Sequence, residues 1–119
     1  LTDDDFMVWS GNDADIISVM ALGGDGVVSV ASHFIGNEIS KIINFISDGD
    51  ISSANNLNSQ LIDLYNVLFI ESNPIPVKWG LNHLGFQAGA PRLPLLEPTQ
   101  NTRKDAAKIL NQLKENYYK

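Results

Sequence analysis

Two short apolar segments constrain this chain more than anything else in it: Phe6-Met7-Val8-Trp9, and Gly26-Val27-Val28-Ser29-Val30-Ala31. Neither alternates polar with apolar residues, so each reads as a strand buried on both faces, the pattern of a parallel sheet covered by helices. Between them, Ile16, Ile17, Met20 and Ala21 fall on one helical face; Asn12 or Asp13 can cap its start and Gly23-Gly24 can end it. A strand, a crossover helix and a second strand predict a right-handed βαβ unit with adjacent parallel strands. After the second strand, Ile39, Ile42, Ile43 and Ile46 mark another helix, closed by Gly49.

Beyond Gly49 the alternation stops. Leu57, Leu61, Leu64 and Leu68 have the 4-3-4 spacing of one buried stripe, read as core or subunit interface. A break at Glu71-Ser72-Asn73-Pro74-Ile75-Pro76 precedes a helix carrying Val77, Leu81 and Leu84, which Gly85 ends. The stretch from Phe86 to Pro98 holds Pro91, Pro94 and Pro98, too many for a helix. With Leu93, Leu95 and Leu96 it is too apolar for a free linker and is expected to pack against something. Thr99 or Thr102 can cap a last helix whose Ala106, Ile109, Leu110, Leu113 and Tyr117 share a face. The domain reading is residues 1–49 as two βα units and residues 50–119 as a helical domain.

Two parallel strands cannot stand alone, because both outer edges expose unpaired backbone groups. A closed parallel barrel usually takes eight strands, so about six are expected from a partner chain or from an amino-terminal portion. The opening at Leu1-Thr2 instead of Met adds the expectation that the true start lies upstream. In such barrels the chemistry sits at the carboxyl ends of the strands, here Ser10 to Asp13 and Val28 to His33. Gly11 lets the backbone pass close to a ligand or adopt positive φ, and the helix start beside it offers N–H groups to an anion.

The formal net charge of the 119 residues is −6, which supplies no basic field for nucleic acid or an anionic membrane. Asp3, Asp4 and Asp5 read as a solvated loop, since a hard cation needs further oxygen ligands. The chain has no Cys, which removes thiolate and disulfide chemistry and fits a reducing cytoplasm. No stretch approaches the roughly 20 apolar residues of a membrane span, so a soluble protein is expected. Ser29 has no histidine and acid beside it in sequence for a triad, and His33 and His83 lack metal-ligand spacing. Lys78, on a helix after Pro76, reads as structural or surface and not as a Schiff-base amine.

Specific segments say more. Ser10-Gly11-Asn12-Asp13, Leu22-Gly23-Gly24-Asp25-Gly26-Val27-Val28-Ser29-Val30, Leu68-Phe69-Ile70-Glu71-Ser72-Asn73-Pro74-Ile75-Pro76-Val77-Lys78, and Leu84-Gly85 with Arg92-Leu93-Pro94-Leu95 resemble, in order and spacing, the dihydrodipicolinate synthase and N-acetylneuraminate lyase family. The resemblance implies an α/β fold: the carboxy-terminal portion of a (β/α)8 TIM barrel, its last two parallel strands and their helices, plus an all-helical extension. It implies a homotetrameric lyase that binds pyruvate as a lysine Schiff base and condenses it with L-aspartate semialdehyde, giving 4-hydroxy-tetrahydrodipicolinate in lysine and diaminopimelate biosynthesis, without metal or organic cofactor.

The family's Schiff-base lysine and proton-relay groups precede Leu1, so the resemblance assigns no catalytic residue here and implies that the chain alone is inactive. By motif position Val28 matches a pyruvate-contacting residue, and Gly11 the glycine beside the Schiff-base lysine. Gly26-Val27-Val28-Ser29-Val30 and Asn73-Pro74-Ile75-Pro76-Val77-Lys78 resemble the synthase branch more than the sugar-acid aldolases, namely N-acetylneuraminate lyase and the 2-keto-3-deoxy acid aldolases. A non-catalytic interaction module that uses the exposed strand edges is the reading from another class.

Overall fold

The structure, a computed structural model, describes residues 5–117; Leu1, Thr2, Asp3, Asp4 and the Tyr117 side chain, all invoked above, lie outside the described residues. The chain divides into two compact units, Leu1–Ile62 and Asp63–Lys119.

The first unit begins with β1 (Trp9–Ser10), a 3-10 turn at Asp13–Asp15, α1 (Ile16–Ala21) and β2 (Gly26–Val27). The strands pair in parallel, Trp9 opposite Gly26 and Ser10 opposite Val27, as the βαβ reading expects. The ladder is shorter than the apolar runs that predict it. Its ends are extended by the Asp25 amide donating to the Val8 carbonyl (2.8 Å) and the Val28 amide donating to the Ser10 carbonyl (2.8 Å). The Asp25 carboxylate takes the Val8 amide at 2.7 Å. Phe6, Met7, Val8 and Trp9 are all exposed. Apolar on both faces and only partly covered, the segment leaves unburied much of the surface that would make it a strand interior.

Gly23, at φ +92°, ends α1: its amide reaches the Met20 carbonyl (3.0 Å) while the Gly24 amide reaches the Val19 carbonyl (2.9 Å). This pair of bonds satisfies the last carbonyls of a helix and needs a left-handed residue between them, which glycine supplies at least cost. The same pair closes the next helix at Gly49 and Asp50.

That helix, α2 (Ser32–Ser47), has a non-helical Ile35 (φ −134°, ψ 41°) after its first turn and buries Phe34, Ile35, Ile39 and Ile42. Against it packs α3 (Ile51–Ser59), whose start Asp50 caps by accepting the Ser53 amide at 3.0 Å. The Ser53 hydrogen bonding holds the Asp50 carboxyl below its ordinary range.

The leucine stripe runs across a break, not along one helix: α3 ends at Ser59, and α4 (Ile62–Leu68) starts the second unit's core with Leu64, Tyr65, Val67 and Leu68 buried. The stripe itself is core, with Leu61 inaccessible and Leu57 half-buried.

In the second unit α5 (Ile75–His83) packs on α6 (Gln100–Tyr117), joining Ile75, Pro76, Val77, Ala106, Leu110 and Leu113 into the core. The proline-rich stretch between them is held by polar groups of α5. The Lys78 Nζ donates to the Ala90 carbonyl (2.7 Å), and the Asn82 side chain donates to the Gly89 carbonyl (3.0 Å) and accepts the Ala88 amide (2.9 Å). Lys78 is thus structural. Leu93 and Leu96 remain exposed, while Leu95 is half-buried and Pro98 buried, so the segment packs in part and is held by these hydrogen bonds besides.

Candidate functional site

The parallel pairing brings the carboxyl ends of β1 and β2 side by side, and with them the two residues singled out in the sequence. Gly11 directly follows β1, and Val28 directly follows β2, tied to the neighbouring strand through its amide on Ser10. Val28 is 69% exposed, and a Cβ built at Gly11 would meet nothing within 4 Å. Open space beside both is what a ligand-contacting wall requires. Gly11 does not use positive φ, so of the two reasons for glycine there the room it leaves is the one the structure supports.

Asn12 and Asp13, alternatives as the first helix cap, take different tasks. Asn12 caps: its side chain accepts the Ala14 amide (3.4 Å) and donates to Asp15 (2.9 Å), while its own amide reaches the Ser10 hydroxyl (3.1 Å). The N–H groups expected to be open to an anion are therefore engaged by Asn12 at Ala14 and Asp15. Asp13 turns the other way. Its carboxylate, 0% exposed, accepts the Ser29 hydroxyl and the amides of Val30 and Ala31 (3.1 Å each), occupying the turn that opens α2. The Ser29 Oγ in turn accepts the Ser32 amide (2.8 Å).

The sequence places Asp13 in the loop after β1 but does not show that its carboxylate bonds to the loop after β2. Its only signal was an acid near a strand end, which a helix cap explains equally well. Ser29 spends its hydroxyl proton on Asp13, and neither histidine is its hydrogen-bond partner among the described residues. His83 stacks on Trp79, with ring centroids 4.9 Å apart. Among the described residues no three His, Asp or Glu side chains converge in a way that could hold a metal ion, and no helix is long and apolar enough to cross a membrane.

The family model described as the Dihydrodipicolinate synthetase family matches residues 1–113. The chain belongs to that family. It is 46% identical over 98 residues to a 4-hydroxy-tetrahydrodipicolinate synthase of Dehalococcoides mccartyi, covering 82% of this chain and 33% of the relative. To the synthase of Desulforudis audaxviator it is 41% identical over 112 residues, covering 94% and 38%. Among solved structures it is similar to the Cyanidioschyzon merolae synthase crystallised with lysine bound, at TM-score 0.91 and 40% identity, covering 94% of this chain and 38% of that one. The chain thus spans about a third of the length of the family members it matches. The likeness covers both units, so the short parallel sheet and the helices that follow it are family architecture.

Proposed function

We propose that this chain is the carboxy-terminal part of a synthase that condenses pyruvate, held as a lysine Schiff base, with L-aspartate semialdehyde to give 4-hydroxy-tetrahydrodipicolinate. In this reading residues 1–49 are the last two βα units of the TIM barrel and residues 50–119 its helical extension. The rest of the barrel and the lysine come from another part of a longer polypeptide or from a second chain. The complete enzyme is a cytoplasmic homotetramer working in lysine and diaminopimelate biosynthesis.

The chemistry balances without a metal or organic cofactor. The lysine amine attacks the pyruvate carbonyl carbon and water leaves, giving the imine. The imine draws electrons from the methyl group, which loses a proton, and the resulting enamine carbon attacks the aldehyde, whose oxygen takes up a proton; the amine of the semialdehyde then attacks the imine carbon, closing the ring and displacing the lysine. Gly11 and Val28 contact pyruvate in this scheme and transfer no proton.

The observation that carries the reading is the juxtaposition of open space at Gly11 with exposed Val28 at two adjoining strand ends, in a chain of the synthase family. Carboxyl ends of barrel strands are where such enzymes place their sites. A sugar-acid aldolase is the second reading; similarity over most of the chain to proteins named as synthases favours the first.

Borohydride trapping tests it. Incubated with pyruvate and borohydride, the 119-residue chain alone should gain no mass. Joined to the amino-terminal part of the Dehalococcoides mccartyi synthase, it should gain one reduced pyruvate and consume aspartate semialdehyde. Trapping by the chain alone would overturn the proposal, as would preference of the joined protein for a sugar-acid aldehyde.

A further inference from the structure

Resting on the proposed pyruvate reading, we infer that Asp13 is a positioning residue that fixes the two halves of the pyruvate wall, Gly11 and Val28, relative to each other.

Asp13 lies two residues beyond Gly11, on the loop after β1, yet every hydrogen bond its carboxylate accepts comes from the loop after β2. Ser29, its hydroxyl partner, is the residue next to Val28. An ionised carboxylate only accepts, and here three donors aim at it: one hydroxyl and two amides. Hydrogen bonds to a charged group inside the protein are among the stronger ones, and unpairing one strands both partners. The Ser29 oxygen is held from the other side by the Ser32 amide, so its hydroxyl has one orientation available.

A shift of the Gly11 loop against Val28 therefore breaks this set together with the bond from the Val28 amide to Ser10. Beside the strand pairing, these bonds are a second fastening between the two loops. Two residues of strand on each side pair directly, and Val28 itself is largely exposed and unpacked. The carboxylate does what a longer ladder would otherwise do, while leaving the face beside Gly11 open.

The residue types are specific. Asn at position 13 can keep its carbonyl oxygen on the Val30 and Ala31 amides, but its Nδ2 then faces the Ser29 hydroxyl, which loses its acceptor, and Glu would carry the carboxylate one carbon too far. Ala at position 29 removes the hydroxyl donor, whereas Thr keeps it.

The test has two arms. In the 119-residue chain, Ser29→Ala should speed amide hydrogen exchange at Val28, Val30 and Ala31 by roughly tenfold, with Ser29→Thr restoring protection and α6 unaffected in both. In the chain joined to the amino-terminal part of the Dehalococcoides mccartyi synthase, Ser29→Ala and Asp13→Asn should raise KM for pyruvate on the order of tenfold. The KM for aspartate semialdehyde and the melting temperature should change far less, and Ser29→Thr should recover the pyruvate KM.

Unchanged exchange at Val28 in Ser29→Ala would overturn the inference. So would equal losses for both substrates, or a failure of Ser29→Thr to rescue, which would mark Asp13 as structural only. If the unsubstituted joined protein traps no pyruvate, the proposed function fails, and the role in pyruvate binding falls with it even where the exchange result holds.

Discussion

At the scale of single residues, the glycines separate what folding needs from what a ligand needs. A Cβ at Gly24 would lie 2.5 Å from the Val19 Cγ1 and 2.9 Å from its carbonyl oxygen. The oxygen belongs to the last turn of α1 and cannot move aside cheaply, so Gly24→Ala should destabilise the chain by about 1–3 kcal/mol in urea unfolding. Gly11→Ala meets open space and should stay within about 0.5 kcal/mol of the parent. In the joined protein the same methyl group occupies room proposed for pyruvate, so KM for pyruvate should rise. A destabilised Gly11→Ala with normal kinetics would reverse both assignments. The sequence announced the turn glycines through their places after apolar helical runs. It could not announce what Asp13 bonds to, because a carboxylate reaching a loop 16 to 18 residues away leaves no local trace.

At the scale of elements, strand adjacency, the parallel sense and five of the helix positions were legible from apolar spacing. What was not legible depended on side chains competing for backbone. The leucine spacing from Leu57 to Leu68 is continuous, yet the helix breaks: the Ser59 hydroxyl and the Gln60 amide group both donate to the Asn56 carbonyl (2.8 and 3.2 Å). Short polar side chains offering the backbone such alternatives weaken a helix that the apolar pattern alone would continue.

The start of α6 shows the reverse, a terminus secured from a distance. Thr99 caps it, its hydroxyl accepting the Thr102 amide (3.3 Å), while Glu71 accepts the Thr99 amide and hydroxyl (3.0 Å each) and the Thr102 hydroxyl. Thr99→Ala should cost about 1 kcal/mol of stability, as loss of a cap does.

The Thr102 hydroxyl, then the Thr99 amide, hold the Glu71 carboxyl below its ordinary value of 4.5 against the opposing effect of burial; the Thr99 hydroxyl and the Arg103 charge add to them. A lowered carboxyl contributes stability that is complete above the ordinary value and lost as pH falls through the lowered one. Melting temperature should accordingly drop on acidification below pH 4.5, and Glu71→Gln should flatten part of that slope while lowering the plateau at neutral pH. An unchanged acid slope in Glu71→Gln would show that other carboxylates set it.

At the scale of the whole molecule, the chain leaves apolar surface unburied on its first strand segment. Phe6 is 65% and Trp9 50% exposed, on a segment whose composition is that of a strand interior. Burial of such side chains is worth about 1.5–3 kcal/mol each, so the segment gains most of its stabilisation from whatever covers it. The proposed function names the cover as the remainder of the barrel. Trp9 reports on this directly once Trp79, which stacks on His83, is replaced by Phe. In the 119-residue chain carrying Trp79→Phe, emission should be that of a solvated indole and should be quenched readily by acrylamide. When the amino-terminal part of the Dehalococcoides mccartyi synthase is joined to it, emission should shift to the blue and quenching should fall severalfold, because the indole leaves water. A spectrum unmoved by that addition would mean that the strand edge is covered by something other than barrel strands. The interaction-module reading, with a different protein seated on Phe6 to Trp9, would then gain the ground that the synthase reading loses.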